Sequence, residues 1–184
     1  MNADRILYRT RQFWQALGSI PTSEDLALVN TLLTKSQTAI FTQMQNSEQA
    51  HAVLVLHTLL DQHEDDQDLL VAALLHDVGK SRFPLSLWER VVVVLAKKIC
   101  PGCVQRWGER DSEEDQKPHG WRRTFTVAVR HPAWGAEMAA EAGCSQLTIN
   151  LIGRHQEKIP VFQENDLSKE DTLLLKLQAA DDEN

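Results

Sequence analysis

The sequence lacks a long apolar run and an excess of positive charge, and each absence excludes a class of protein. The longest dense apolar run, residues 91–96, is far too short to span a bilayer. The formal net charge is −7, whereas a general nucleic-acid binder is normally basic. We therefore expect a protein that neither spans a membrane nor binds nucleic acids in general.

Cysteine is also scarce, with only Cys100, Cys103 and Cys144 in the chain. The N-terminus is polar and then amphipathic, unlike a secretory signal, so we predict a cytoplasmic protein with reduced thiols. Cys100 and Cys103 have CxxC spacing. However, no second pair completes a zinc site, and no βαβ pattern supplies a thioredoxin-like context. We expect ordinary thiols here, and a redox role for this pair is the weaker alternative.

Apolar residues recur at helical spacing along nearly the whole chain, without a convincing β-sheet or an internal repeat. A length of 184 residues fits one domain. The predicted fold class is all-α. Residues 1–46 are predicted to form a helical extension that packs on a core unit of residues 47–184, and the polar stretch at about 108–120 predicts a surface loop.

Capping residues and helix breakers predict where the helices begin and end. Gly79 suits the C-terminal cap of one helix, and Pro132 suits the first turn of another. The β-branched run 91–94 is also compatible with a buried strand, but its flanks extend the pattern beyond strand length, so we predict a helix. The predicted helices are 6–17, 23–33, 35–44, 47–60, 68–77, 85–99, 132–142, 146–155 and 169–181.

The predicted helix that contains Leu69–Leu75 ends in two side chains of the metal-ligand type, His76 and Asp77. A core helix has no packing reason to end in an imidazole and a carboxylate. Both groups are costly to bury without a partner, and a metal ion satisfies both at once. The pair indicates a metal-dependent hydrolase, provided that the rest of the chain supplies further ligands.

Four other residues could supply those ligands. His51 lies in an apolar helical segment, His131 directly precedes a proline, His155 lies near a helix end, and Asp181 follows an apolar run. Each of them alone is more often a core or surface residue than a ligand. Their joint occurrence with the pair favours a metal site. The predicted metal ligands are His51, His76, Asp77, His131, His155 and Asp181.

The composition of this ligand set suggests which metal ions bind and how many. Mixed imidazole and carboxylate ligands favour Zn, Mn, Fe, Co or Ni over Ca. Six side chains are too many for one tetrahedral ion with an open position. They suit two divalent ions that share a bridging carboxylate.

The order His51, His76-Asp77-Val78-Gly79-Lys80, Asp181 resembles the H…HD…D signature of the HD-domain metal-dependent phosphohydrolase superfamily. The resemblance runs from about residue 47 to the end of the chain and implies an HD-domain helical bundle. His131 and His155 match two histidines added in dinuclear HD subfamilies. These include the HD-GYP cyclic-dinucleotide phosphodiesterases and the bacterial HD-type diadenosine tetraphosphate hydrolases. The Gly-Tyr-Pro hallmark is absent, so we do not expect hydrolysis of cyclic di-GMP.

The resemblance implies hydrolysis of a small phosphate ester or anhydride, most often a nucleotide, by a metal-activated water. In that chemistry Asp77 would bridge the ions and orient the nucleophile, while Lys80 would bind a phosphate oxygen or stabilise developing charge. Arg82, Arg130 and Arg154 lie beside the motifs and are weaker candidates for phosphate binding. The alternative is a non-catalytic HD-type module that serves in signalling or binds a nucleotide.

Overall fold

The computed structural model describes residues 20–109, 118–159 and 167–184. All regular elements in these ranges are helical, which confirms the predicted all-α class. Two short 3₁₀-helices, Val78–Arg82 and Gly120–Arg122, accompany the α-helices. The α-helices are α1 (Ser23–Leu32), α2 (Lys35–Phe41), α3 (Asn46–Asp61), α4 (Gln67–Leu75), α5 (Leu87–Ile99), α6 (Pro101–Glu109), α7 (Arg123–Glu141), α8 (Gln146–Arg154) and α9 (Lys169–Glu183).

Two sequence predictions concern residues that the structure does not describe or describes only in part. The predicted helix over 6–17 lies outside the described residues. The predicted polar loop is wrong at its edges, because residues 108–109 close α6 and residue 120 opens a 3₁₀-helix. The centre of that stretch, residues 110–117, also lies outside the described ranges.

Side-chain caps begin several helices where the sequence predicts them. Ser145 accepts a hydrogen bond from the backbone N–H of Thr148 at 3.0 Å and so begins α8. Ser168 accepts one from the N–H of Asp171 at 3.1 Å and begins α9. These bonds satisfy backbone donors that the first helical turn leaves free.

Two other helices begin one residue earlier than predicted. Helix α4 begins at Gln67 rather than at Asp68, and Asp66 caps it, because its carboxylate accepts hydrogen bonds from the N–H groups of the first turn. Helix α3 begins after Gln45, and Ser47 lies inside its first turn. The Ser47 hydroxyl instead accepts a hydrogen bond from Arg90 of α5 at 2.7 Å. Tertiary contacts thus occupy a side chain that local pattern alone assigns to capping.

Helix α4 forms the centre of the fold. All seven residues from Leu69 to Leu75 are buried, as expected for a helix that is apolar on every side. It contacts α3, α8 and α9. Val29 of α1 and Phe41 of α2 join the same apolar core, so the helices before residue 46 pack on the central unit. No helix within the described ranges is long and apolar enough to cross a membrane.

Helix α7 corrects a predicted boundary. Pro132 lies in the interior of this 19-residue helix rather than at its start. Proline has no N–H for the carbonyl of Ala128 and normally disrupts a helix. The helix continues because buried side chains on both sides of the proline anchor it to the core. Gly143, with φ of +77°, follows the end of α7 as predicted.

Gly79 also has a different role from the one predicted. It lies inside the 3₁₀-helix Val78–Arg82, and it is not one of the residues with positive φ in the described ranges. It therefore does not form a left-handed cap after α4. The close packing of this position against the backbone of α7 is what requires a glycine.

Helices α5 and α6 form the outer part of the fold. Residues 91–94 are helical, as predicted, and Val93 packs with Val127 and Trp134 in a second, smaller apolar cluster. Helix α6 is not among the predicted helices. Cys100 and Cys103 form a disulfide at the junction of α5 and α6, so the expectation of ordinary thiols is wrong for this pair.

Candidate metal centre

All six predicted ligand residues face one region between five helical segments. They come from α3, from the link between α4 and the following 3₁₀-helix, from the middle of α7, from the end of α8 and from α9. Residues more than 100 positions apart are thereby brought into contact. In the same order along the chain, the residues are His51, His76 with Asp77, His131, His155 and Asp181.

The first group of potential ligands contains His51, His76 and Asp77, whose ligand atoms lie within 4.8 Å of one another. Asp181 joins this group, because its Oδ1 lies 2.8 Å from His51 Nε2 and 3.6 Å from His76 Nε2. Two imidazoles and two carboxylates around one space are a suitable donor set for a divalent transition metal ion.

The second group contains Asp77, His131 and His155, and it also fits within 4.8 Å. Asp77 Oδ1 lies 3.2 Å from His131 Nε2 and 3.9 Å from His155 Nε2. The other oxygen, Oδ2, lies 3.6 Å from His76 Nε2 in the first group. Asp77 therefore belongs to both groups and presents a different oxygen to each.

Local backbone contacts orient the three buried imidazoles. In His76, His131 and His155, Nδ1 donates to a carbonyl oxygen three or four residues earlier, at 2.9, 3.0 and 2.8 Å. These acceptors belong to Ala73, Val127 and Ile152. A proton fixed on Nδ1 leaves the lone pair of Nε2 directed into the cluster, as in many metal sites.

One atom of this cluster fits a bound cation particularly well. His76 Nε2 is buried and has no hydrogen-bond partner among the described residues. A buried polar atom without a partner is costly, by about 1–3 kcal/mol. A metal ion at the first group would satisfy this nitrogen, so the residues present fit the metal that the donor set suggests.

The electrostatics of the cluster favour positive charge at its centre. Burial lowers the pKa of His76, but Asp77 and Asp181 outweigh it and raise that pKa to about 9. Burial raises the pKa of Asp77, but Lys80 and His76 hold it well below its usual range. Burial and then the neighbouring imidazoles lower the pKa of His155 to about 3. The negative charge that favours a proton on His76 also favours a metal ion there, which would displace that proton.

The ligand side chains differ in their exposure to solvent. The side chains of His76, Asp77, His131 and His155 are buried, with at most 6% of any of them exposed. By contrast, the side chains of His51, Lys80 and Asp181 are 23%, 30% and 32% exposed. We refer to the side lined by these last three residues as the open side.

Lys80 lies beside the shared carboxylate, in the 3₁₀-helix that follows it. Its Nζ donates a short hydrogen bond to Asp77 Oδ2. Burial lowers the pKa of Lys80, but Asp77 and then Glu48 outweigh it and raise the pKa above its usual value. Lys80 therefore carries a positive charge at the open side of the cluster.

The arginines beside the motifs have other partners. Arg154 donates to Glu157 three residues later and to Glu170 and Asp171, and the last two ion pairs connect the end of α8 to the start of α9. Arg82 pairs with Glu137 at 2.8 Å.

The third arginine, Arg130, lies over the ring of Trp134, with its guanidinium 5.6 Å from the ring centroid. Gln156, which is not among the predicted site residues, also lies at the cluster, with its Nε2 3.4 Å from His131 Nε2. A glutamine next to a predicted ligand carries no recognisable signal in one sequence.

In this helical fold, two groups of histidine and aspartate residues overlap at one shared carboxylate, that of Asp77. This arrangement is that of a metal-binding helical domain. The model of the HD domain family matches residues 49–182, which is most of the chain. This protein belongs to the HD domain family. Comparisons with curated proteins and with solved structures give no match.

Proposed function

We propose that this protein is a metal-dependent phosphohydrolase that cleaves a phosphate ester or anhydride of a nucleotide. Membership of the HD domain family supports this assignment. The observation that carries it is the position of Asp77 between the two ligand groups. A carboxylate with one oxygen toward each group suits a centre of two divalent ions, chosen among Mn, Fe, Zn, Co and Ni.

We assign one ion to each group. His51, His76, Asp77 and Asp181 would hold the first ion, and Asp77, His131 and His155 would hold the second. When bound, the two ions would neutralise phosphate oxygens and lower the pKa of a water molecule. The Nδ1 contacts of the buried histidines would keep their ligating nitrogens directed toward the ions.

The residues of the open side would position the substrate. The ammonium group of Lys80 would donate hydrogen bonds to a phosphate oxygen and stabilise the charge that develops during cleavage. Asp77, in addition to its role as a ligand, would orient the attacking water. The buried imidazoles of His76, His131 and His155 would exclude solvent from the opposite side.

We also propose a division of the chain and a location for it. Residues 47–184 would form the catalytic unit, with residues 1–46 as an extension that packs on it. The burial of Val29 and Phe41 in the central core supports this arrangement for the part of the extension that the structure describes. We place the protein in the cytoplasm.

Metal analysis together with activity assays tests this function. The purified protein and its Asp77→Asn variant would be assayed with added Mn²⁺ against a panel of nucleotides and simple phosphate esters. We expect about two ions per wild-type chain and a loss of at least about 10²-fold in activity for the variant. Absence of bound metal and of activity in the wild-type protein would refute the proposal. Bound metal without turnover would favour the non-catalytic module.

A further inference from the structure

The two ligand groups differ in the number of donors that the predicted residues supply. The first group has four side chains, whereas the second has only Asp77, His131 and His155. Both groups share Asp77, and the first adds a second carboxylate, that of Asp181. The second ion would therefore have fewer ligands and less negative charge around it than the first, so a further donor can be accommodated there.

Gln156 places a side-chain amide beside the second group. Its Nε2 lies 3.4 Å from His131 Nε2, the nitrogen that is directed into the cluster. The same nitrogen of His131 lies 3.2 Å from Asp77 Oδ1 and 3.2 Å from His155 Nε2. Neighbouring ligand atoms of one ion lie roughly 3.0–3.4 Å apart when each bond to the metal is about 2.1 Å. The amide therefore lies at ligand spacing from His131, as the other two donors do.

The backbone around Gln156 is fixed by contacts with the helix that carries Asp181. Gln178 of α9 donates one hydrogen bond to the carbonyl of His155 at 3.0 Å and another to the carbonyl of Glu157 at 2.7 Å. These two bonds hold the chain on either side of Gln156. Gln178 lies three residues before Asp181, about one helical turn away. The turn that carries Gln156 is thus tied to a ligand-bearing helix.

The protonation of His131 decides which amide atom of Gln156 would face the second ion. His131 Nδ1 donates to the carbonyl of Val127 at 3.0 Å, so Nε2 carries a lone pair. An amide N–H suits this lone pair only while the lone pair is free. A metal ion bound there takes up the lone pair, and the amide then presents its oxygen, because rotation about the last side-chain bond exchanges its oxygen and nitrogen. Amide oxygens are ligands of divalent ions.

We infer that Gln156 is a further ligand of the second ion, which it binds through its side-chain oxygen Oε1. The second ion would then be held by His131, His155, the shared Asp77 and a neutral amide. A neutral ligand attracts a cation less than the carboxylate that Asp181 contributes to the first group, so the second ion would be the more weakly bound of the two. This inference rests on the two-ion centre of the proposed function and adds to its ligand set.

Calorimetric titration of the metal-free full chain with Mn²⁺ tests the inference without turnover. We expect two binding steps in the wild-type protein. Gln156→Leu removes the oxygen and should weaken the second step at least about tenfold, while the first stays within about twofold of wild type. Gln156→Glu keeps an oxygen at the same position and adds negative charge, so it should bind the second ion at least as tightly as wild type.

Gln146→Leu provides the matched control. It makes the same change at an exposed glutamine at the other end of α8, where the side chain donates to Asn150 at 2.8 Å, and it should bind both ions as wild type does. An unchanged second step in Gln156→Leu would overturn the inference. Weakening in both Gln156→Leu and Gln156→Glu would also overturn it, because the amide would then act as an N–H donor and not as a ligand.

Failure of the inference and failure of the proposed function give different results. If the wild-type protein binds two ions and hydrolyses nucleotides while Gln156→Leu binds both ions normally, only the inference fails. Selective loss of the second step in Gln156→Leu, from a protein without activity, would leave Gln156 as a ligand and the hydrolase proposal refuted. A wild-type protein that binds a single ion would refute both the two-ion centre and the role of Gln156.

Discussion

Gly79 and His131 touch through their backbones. A Cβ atom at position 79 would lie 2.0 Å from the carbonyl oxygen of His131 and 2.6 Å from the backbone nitrogen of Gly135. The 3₁₀-helix that follows Asp77 therefore lies directly against the turn of α7 that carries a ligand. This contact sets the distance between the shared aspartate and the second group of ligands.

Gly79→Ala should consequently be strongly destabilising. Backbone atoms cannot move aside as a flexible side chain can, so we expect the free energy of unfolding to fall by at least about 3 kcal/mol. Urea denaturation measures this change. Gly102→Ala is the control, because a Cβ there meets nothing within 4 Å, and it should be neutral or stabilising. Equal stability of the two variants would contradict the packing account.

Removal of a ligand that belongs to one group only should remove one ion. His155→Ala should reduce the metal content from about two ions per chain to about one, while Asp77→Ala should reduce the affinity for both. Inductively coupled plasma mass spectrometry of the purified variants gives these counts. His57→Ala is a suitable control, since His57 is exposed and pairs with Asp25 at 2.9 Å away from the cluster. Full metal content in His155→Ala would argue against the second group.

Arg154 should contribute to stability rather than to phosphate binding. Two of its three carboxylate partners, Glu170 and Asp171, connect α8 to α9, although the Arg154 side chain is 31% exposed and solvent weakens these pairs. We expect Arg154→Gln to lower the free energy of unfolding by about 1 kcal/mol and to leave KM unchanged. A rise in KM without loss of stability would support the phosphate-binding role suggested by the sequence.

Glu89 accepts hydrogen bonds from the backbone N–H and the hydroxyl of Ser86, the residue that caps α5. This contact should make the stability of the protein depend on pH in the acid range. Burial raises the pKa of Glu89, but hydrogen bonds from Ser86 and then from Arg123 outweigh it and lower the pKa below the usual 4.5. A carboxylate whose pKa falls on folding stabilises the protein above pH 4.5, and this contribution disappears as the pH falls through the lower value. Glu89→Gln should therefore be less stable than wild type near neutral pH, by about 1–3 kcal/mol.

The difference between wild type and Glu89→Gln should shrink as the pH falls below 4.5. Urea denaturation at a series of pH values measures it. Glu137→Gln is the control, because the side chain of Glu137 is 62% exposed and contacts only one arginine among the described residues. That variant should differ from wild type by less than about 0.5 kcal/mol. A constant difference for Glu89→Gln down to pH 3 would show that the ionised form of this carboxylate does not carry the stabilisation.

The sequence predicts the elements that carry the site better than the contacts between them. The helical class follows from local periodicity. The convergence of the ligands is implied by the resemblance of their order along the chain to the HD signature. The continuation of α7 through Pro132 follows from neither, because burial on both sides of the proline outweighs the usual helix-breaking effect. The role of Gly79 depends on a neighbour 52 positions away.

Anomalous diffraction at the metal absorption edges tests the central claim most directly. Data from crystals of the purified full chain would identify each ion and locate it relative to the side chains. We predict two peaks, one between His51, His76 and Asp181 and one between His131 and His155, with Asp77 bound to both ions. A single peak remote from Asp77, or no peak in crystals grown with Mn²⁺, would contradict a dinuclear centre built on this aspartate.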